Sequence, residues 1–152
     1  MGALSDPVNV TSSVVQGSVL GPTLFNCYIN KLASMLNSNI RLYADDCIIY
    51  RTIKSPEDKQ VLQDDLNTIN NWCNDSSMVL NVSKCNSIVF RKSRRPMEAK
   101  YYIGNTSNML VQVPEVVYLG VTLAFNLSWD SHISSMVRKA KYALYSIQQN
   151  VY

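Results

Sequence analysis

Apolar residues recur at helical spacing in three stretches of the chain and alternate with polar ones in several short runs. Leu24, Phe25, Tyr28, Ile29, Leu32, Met35 and Leu36 form one stripe, with Asn26, Asn30 and Ser34 opposite. This predicts an amphipathic helix from Pro22 to about Leu36, with proline at the first helical position, where its missing N–H costs nothing. A second helix is predicted from Ser55. Ser55-Pro56-Glu57-Asp58 supplies a cap, a first-turn proline and two acids. Leu62, Leu66, Ile69 and Cys73 continue it at spacings of 4, 3 and 4, and the helix should end near Trp72. A third stripe, Ile133, Met136, Val137, Ala140, Leu144 and Ile147, predicts a C-terminal helix with Arg138, Lys139 and Lys141 off the apolar side.

The strands read differently. Residues 8–15 are β-branched and polar in turn, which suits a strand or an extended arm. Residues 40–52 carry apolar and β-branched side chains on both sides of Asp45-Asp46, the pattern of a hairpin with two carboxylates at its tip. Residues 87–90, 101–103, 109–113 and 116–123 are further short β runs, with turns expected at Asn105 and at Pro114-Glu115. Between the first run and the first helix lies Gln16-Gly17-Ser18-Val19-Leu20-Gly21-Pro22, whose two glycines and proline mark a turn. No internal repeat and no long linker is visible.

Composition narrows this little. The chain has 152 residues, a net charge of +3 and 47% apolar residues, enough for one globular domain with a real core. Charged residues make up only 16%, leaving a surface rich in Ser and Asn and less soluble than usual. The small net charge neither establishes nor excludes nucleic acid as a partner. No apolar run is long enough to span a bilayer, and no signal peptide is apparent. Cys27, Cys47, Cys73 and Cys85 are widely spread and His132 is the single histidine, which argues against a structural zinc site. The cysteines are expected to be reduced, mostly buried thiols in an intracellular protein, with nuclear and cytoplasmic placement both open. Trp72 and Trp129 are expected in the core, and His132 in a capping or packing role.

The candidate chemistry centres on Asp45-Asp46. Two adjacent carboxylates in an apolar hairpin repel each other, and a divalent cation with a preference for hard oxygen ligands relieves that repulsion. On the dipeptide alone, a solvated turn and a metal site remain equally open.

The order of several motifs goes further. Gln16-Gly17-Ser18-Val19-Leu20-Gly21-Pro22 is followed by Tyr28-Ile29-Asn30, then Tyr43-Ala44-Asp45-Asp46. Leu80-Asn81 with Lys84-Cys85 comes next, and Tyr118-Leu119-Gly120-Val121 closes the series. In order and spacing this resembles the reverse transcriptase of non-LTR, jockey-type retrotransposons, from about Val8 into the last helix. The resemblance implies an α+β fold: a partial right-hand polymerase palm, with an antiparallel hairpin sheet packed on helices, followed by a thumb-like helical segment. It also implies a division into a partial palm over 1–90, a basic loop and primer-grip-like hairpins over 91–128, and the start of a thumb helix over 129–152.

By the same resemblance, Asp45 is a principal magnesium ligand and Asp46 supports it, with two ions in the intact polymerase and manganese as an alternative. Gln16, Gly17, Tyr43 and Ala44 would lie beside nucleotide or template, the glycine allowing close backbone approach. Lys84 would lie near the incoming triphosphate, as a charge stabiliser or proton donor. Tyr118, Leu119 and Gly120 would grip the primer. Arg91, Lys92, Arg94 and Arg95, with Arg138, Lys139 and Lys141, could hold phosphates of the nucleic-acid backbone. The implied partners are an RNA template, a DNA primer and dNTPs, without a membrane. Two departures stand out: Val15 occupies a usual proline position, and Lys31 a usual acidic one.

The resemblance requires a third carboxylate upstream, on a segment of palm and fingers that this sequence starts too late to contain. The expectation is therefore a piece of an RNA-directed DNA polymerase, performing two-metal nucleotidyl transfer in the intact parent and inactive alone. The alternative is a non-catalytic nucleic-acid-binding remnant of a degenerate element. An exposed apolar edge on the hairpin, inviting aggregation, is also expected.

Overall fold

Ser18 accepts the Gly21 N–H on its hydroxyl (2.9 Å), which satisfies a donor the first helical turn cannot. The computed structural model describes residues 17–90, 100–104 and 108–150. The expected strand over 8–15, Gln16, the basic loop residues Arg91, Lys92, Arg94 and Arg95, and the turn at Asn105 lie outside the described residues. The fold is α+β, in two compact units, Met1–Leu80 and Asn81–Tyr152.

In the first unit, helix α1 spans Gly21–Ala33, strands β1 and β2 span Asn39–Tyr43 and Asp46–Tyr50, and helix α2 spans Pro56–Asp75. The strands pair antiparallel in the register Asn39↔Tyr50 to Tyr43↔Asp46, leaving Ala44 and Asp45 as a two-residue loop. Ile40, Leu42 and Ile49 face the helices and pack with Phe25 and Leu36 against a core of Ile29, Leu32, Ile69, Trp72 and Cys73. The α1 stripe is narrower than its periodicity predicts. Leu24, Tyr28 and Met35 remain exposed, and the helix stops at Ala33, where Ser34 and Met35 bond back to Lys31 and Leu32 in a tightened last turn.

The N-terminus of α2 is capped as the sequence predicts: Asp58 accepts the Ser55 N–H (3.2 Å), and Pro56 opens the helix. Its C-terminus runs three residues past Trp72. Ser77 takes a positive φ of 54°, the Ser77 N–H bonds the Asn74 carbonyl (3.2 Å), and the Met78 N–H bonds the Cys73 carbonyl (2.8 Å). This is a Schellman closure with serine where glycine is usual, and Met78 supplies its apolar contact on the core.

In the second unit, a 3₁₀ turn over Val82–Lys84 leads into β3 (Asn86–Ser87), which pairs parallel with β4 (Val111–Gln112). The strand expected over 87–90 is therefore shorter, and this pairing departs from a purely antiparallel arrangement. Residues 101–103 and 108–110 pair back to back through Leu110 N–H to Tyr101 O (2.8 Å) and Ile103 N–H to Asn108 O (3.1 Å), burying Tyr101, Ile103 and Leu110. The predicted run 116–123 is a hairpin, β5 (Glu115–Tyr118) against β6 (Val121–Ala124). Helix α3 spans Asp130–Asn150. Its first turn is tied to that hairpin: Ser131 donates to Glu115, and His132 Nδ1 accepts the Thr122 N–H (3.3 Å).

Two burial expectations are corrected. Trp129 is 59% exposed and lies edge-on to His132, because it precedes α3 on the surface of the hairpin. Of the four thiols only Cys73 is buried; Cys85 is half-buried and Cys27 and Cys47 are exposed, Cys47 in the pair with Leu42 that stands next to the hairpin tip. Burial pushes the Cys85 thiol above its ordinary pKa, which keeps it protonated.

Candidate active site

The β1–β2 hairpin gives its carboxylates a defined place. Side chains alternate along β1: Ile40 and Leu42 turn toward the helices, and Asn39, Arg41 and Tyr43 turn away. Tyr43 is paired with Asp46, so these two share the face away from the core, with Asp45 in the loop between them. All three are exposed, as is Ala44. On the same outer face the Arg41 guanidinium sits 5.7 Å from the centre of the Tyr50 ring. Ala44 has φ 50°, a left-handed backbone that two-residue hairpin turns demand and that an alanine adopts only under strain. The tip is thus a tight turn, fixed by ladder hydrogen bonds, that presents two adjacent carboxylates to solvent.

The base of this hairpin is held by residues whose part in holding it the sequence did not reveal. Asp65, on α2, is 1% exposed and accepts the N–H groups of Asn37 (2.9 Å) and Ser38 (2.7 Å), immediately before β1. Arg51, immediately after β2, donates from Nε to Asp58 Oδ1 (2.9 Å) and from Nη1 to the Asn37 carbonyl (3.3 Å). The Lys54 N–H, and then the Arg51 guanidinium, hold the Asp58 carboxyl below the ordinary carboxylate range. One signal of Asp65 was available: it lies three residues after Leu62 and four before Ile69, on the apolar stripe itself.

The other expected site residues divide between the units. Gly17 in the first has φ 88° and open space around it, so its turn requires glycine. Lys84 in the second is exposed at the end of the 3₁₀ turn. Tyr118 ends β5, and Leu119 and Gly120 form the β5–β6 loop, both with positive φ (47° and 82°). That is the signature of a type I′ turn rather than a bulge in a continuous strand. On α3, Arg138 and Lys141 share a strip with Ile133, Val137, Tyr142 and Tyr145, while Lys139 lies one step round the helix. The predicted apolar stripe of α3 is not buried: none of its described residues is.

Among the described residues, no three His, Cys, Asp or Glu side chains cluster as a metal cage would require. The tip offers two hard oxygen donors, which fit part of the ligand set of a magnesium-type ion and not all of it. No helix among the described residues is long and apolar enough to cross a membrane.

Comparison with known proteins settles the family. The model of the family described as reverse transcriptase (RNA-dependent DNA polymerase) matches residues 3–123, which include the whole hairpin. The chain belongs to the reverse transcriptase family. It is 29% identical over 147 residues to the RNA-directed DNA polymerase from mobile element jockey of Drosophila funebris. It is 30% identical over 141 residues to the probable RNA-directed DNA polymerase from transposon X-element of Drosophila melanogaster. These alignments cover 89% and 88% of this chain, and the chain spans only about 15% of the length of each relative. No solved structure matches it significantly. The jockey relative carries the name of the element type that the motif order resembles, and the reverse transcriptase family is the one that resemblance implied. The fold agrees at the level of an α+β arrangement of small sheets and, among the described residues, three α-helices.

Proposed function

We propose that this chain is the part of a retrotransposon RNA-directed DNA polymerase that carries the Tyr43-Ala44-Asp45-Asp46 tip of the palm and, in α3, the start of the thumb. The observation that carries this is the tip itself: two solvent-facing carboxylates on a tight two-residue hairpin turn, braced from one side by α1 and α2. Catalysis by positioned metals needs carboxylates held in fixed geometry; Asp46 opens β2, and Asp45 sits in a two-residue loop pinned by the Tyr43–Asp46 pair. Asp45 and Asp46 would hold magnesium, or manganese in its place. The chemistry supplied by bound divalent cations is activation of the primer hydroxyl and neutralisation of the leaving pyrophosphate.

The remaining assignments are roles for this chain's residues. Gly17, with Gln16, Tyr43 and Ala44, would line the nucleotide and template. Lys84 would stabilise the triphosphate or donate a proton to the leaving group. Tyr118, Leu119 and Gly120 would support the primer strand. Arg138, Lys139 and Lys141 would hold phosphates, together with Arg91, Lys92, Arg94 and Arg95. RNA template, DNA primer and dNTP are thus the partners of the intact polymerase. With two carboxylates and no third in their cluster among the described residues, metal affinity of the isolated chain should be low, roughly millimolar, and primer extension negligible.

Manganese titration of the isotope-labelled chain, followed by nuclear magnetic resonance, tests this reading. Amide signals of residues 43–47 should broaden first, and Asp45→Asn with Asp46→Asn should remove the effect. Broadening elsewhere, or broadening that survives the double substitution, would refute the metal role. Binding of an RNA–DNA duplex that falls with salt and ignores both manganese and the substitutions would favour the non-catalytic alternative.

A further inference from the structure

The deepest side chain among the described residues is a charged one, and the proposed chemistry does not use it. Asp65 spends both carboxylate oxygens on two consecutive backbone N–H groups, Asn37 on Oδ1 and Ser38 on Oδ2. Those residues lead directly into β1. At the other end of the hairpin, Arg51 ties the exit of β2 to Asp58 and to the Asn37 carbonyl. Asp58 and Asp65 are seven residues apart on α2, two turns and about 10 Å along one helix face. Both strands of the hairpin are therefore fastened at their open ends to the same helix.

We infer that Asp65 is a positioning residue for the Asp45–Asp46 tip, with the Arg51–Asp58 pair as its counterpart on the second strand. The inference rests on the proposed metal role of the tip for its functional meaning, and on the hydrogen bonds alone for its mechanics. The tip lies about five strand residues beyond Ser38, roughly 17 Å at 3.4 Å per residue. Over that arm, a tilt of about 5° at the base displaces the carboxylates by about 1.5 Å, three times the tolerance of about 0.5 Å that a metal or catalytic constellation allows. A carboxylate is the side chain suited to this task. It accepts from two neighbouring donors at once, and each bond is charge-assisted. An asparagine in its place offers one oxygen, and its amide turns a donor toward the second N–H.

Asp65→Asn in the full chain tests the assignment, with two controls. Asp64→Asn alters the adjacent exposed acid, whose carboxylate accepts from Gln60 and whose carbonyl accepts from Thr68. Ser38→Ala removes a buried hydroxyl that finds no partner among the described residues, and keeps the Ser38 N–H on Asp65. Amide hydrogen exchange in β1 and β2 should accelerate at least tenfold in Asp65→Asn while α2 exchanges at the wild-type rate. The amide shifts of 44–46 should move, and the manganese concentration needed to broaden them should rise several-fold. Neither control should do any of this. Uniform acceleration across hairpin and helix, or unchanged hairpin exchange, would overturn the assignment. If Asp65→Asn does not fold, Arg51→Lys reads the same clamp from the second strand: it loses the forked contact and should loosen the hairpin selectively, and a hairpin it leaves unmoved overturns the inference. Selective loosening without any manganese effect in the wild type would uphold the clamp and sink the metal reading instead.

Discussion

Gly120→Ala should destabilise the second unit by about 1 kcal/mol through backbone strain alone. The β5–β6 loop has two residues, both at positive φ, and Gly120 sits at 82°. A Cβ placed there meets nothing within 4 Å, so no neighbour is displaced and the penalty is purely conformational. An L-residue in the left-handed region costs about 1–2 kcal/mol. The same substitution narrows the unfolded ensemble, which returns about 0.4–1 kcal/mol. A two-residue loop has no slack to relax the difference, because the register fixes Tyr118 against Val121. With a urea dependence of about 1 kcal/mol per molar for a unit of this size, the midpoint should fall by roughly 0.5–1 M. Amide exchange in β5 and β6 should rise with it. Asparagine tolerates the left-handed backbone better than alanine, and a β-branched residue tolerates it worst. The expected order of stability is therefore wild type, Gly120→Asn, Gly120→Ala, Gly120→Val. Alanine as stable as glycine, or asparagine as damaging as alanine, would refute the conformational account of this turn.

The same truncation on two helices should give unequal results. Leu32→Ala, at a position 3% exposed in the α1–α2 core, should cost about 3 kcal/mol. Leu144→Ala, 57% exposed on α3, should cost under about 0.5 kcal/mol, and equal costs in chemical denaturation would mean that the α3 stripe is covered in solution. Acid should weaken the first unit through Asp58. Its folded pKa is depressed below the unfolded one, so its contribution is complete above the unfolded carboxylate pKa of about 4 and disappears as pH falls through the lower folded value. Urea midpoints from pH 7 to 2 should show that loss, and Asp58→Asn should be less stable at neutral pH and flatter through the acid range; parallel curves would count against the Arg51 clamp.

The parts of this chain that sequence made legible are those decided by near neighbours. Pro22 and Pro56 mark where helices start because first-turn backbone groups have no earlier partner to lose. The Asp45-Asp46 hairpin is legible because β-branched residues flank a two-residue tip. The chemistry proposed for it rests on five motifs that occur in one order. The errors fall where a distant or unusual partner decides. Helix α2 outlasts Trp72 because Ser77 adopts a left-handed conformation that glycine usually signals. The periodicity of α3 gives the direction of its apolar side and says nothing of what would cover it, and Leu144 on that stripe is exposed; Trp129, expected in the core, precedes the helix and is exposed too. Asp65 is the sharpest case. Next to Asp64 it reads as half of an ordinary solvated acidic pair, yet its position on the Leu62–Ile69 stripe leaves only two outcomes: a disrupted core, or a buried anion with donors brought to it. The donors are the backbone of Asn37 and Ser38, 28 and 27 residues away. Backbone groups leave no trace in residue identity, so an acid on an apolar stripe is the signal to follow: it announces that some turn of chain has been brought there to be held, and here that turn leads into the carboxylate-bearing hairpin.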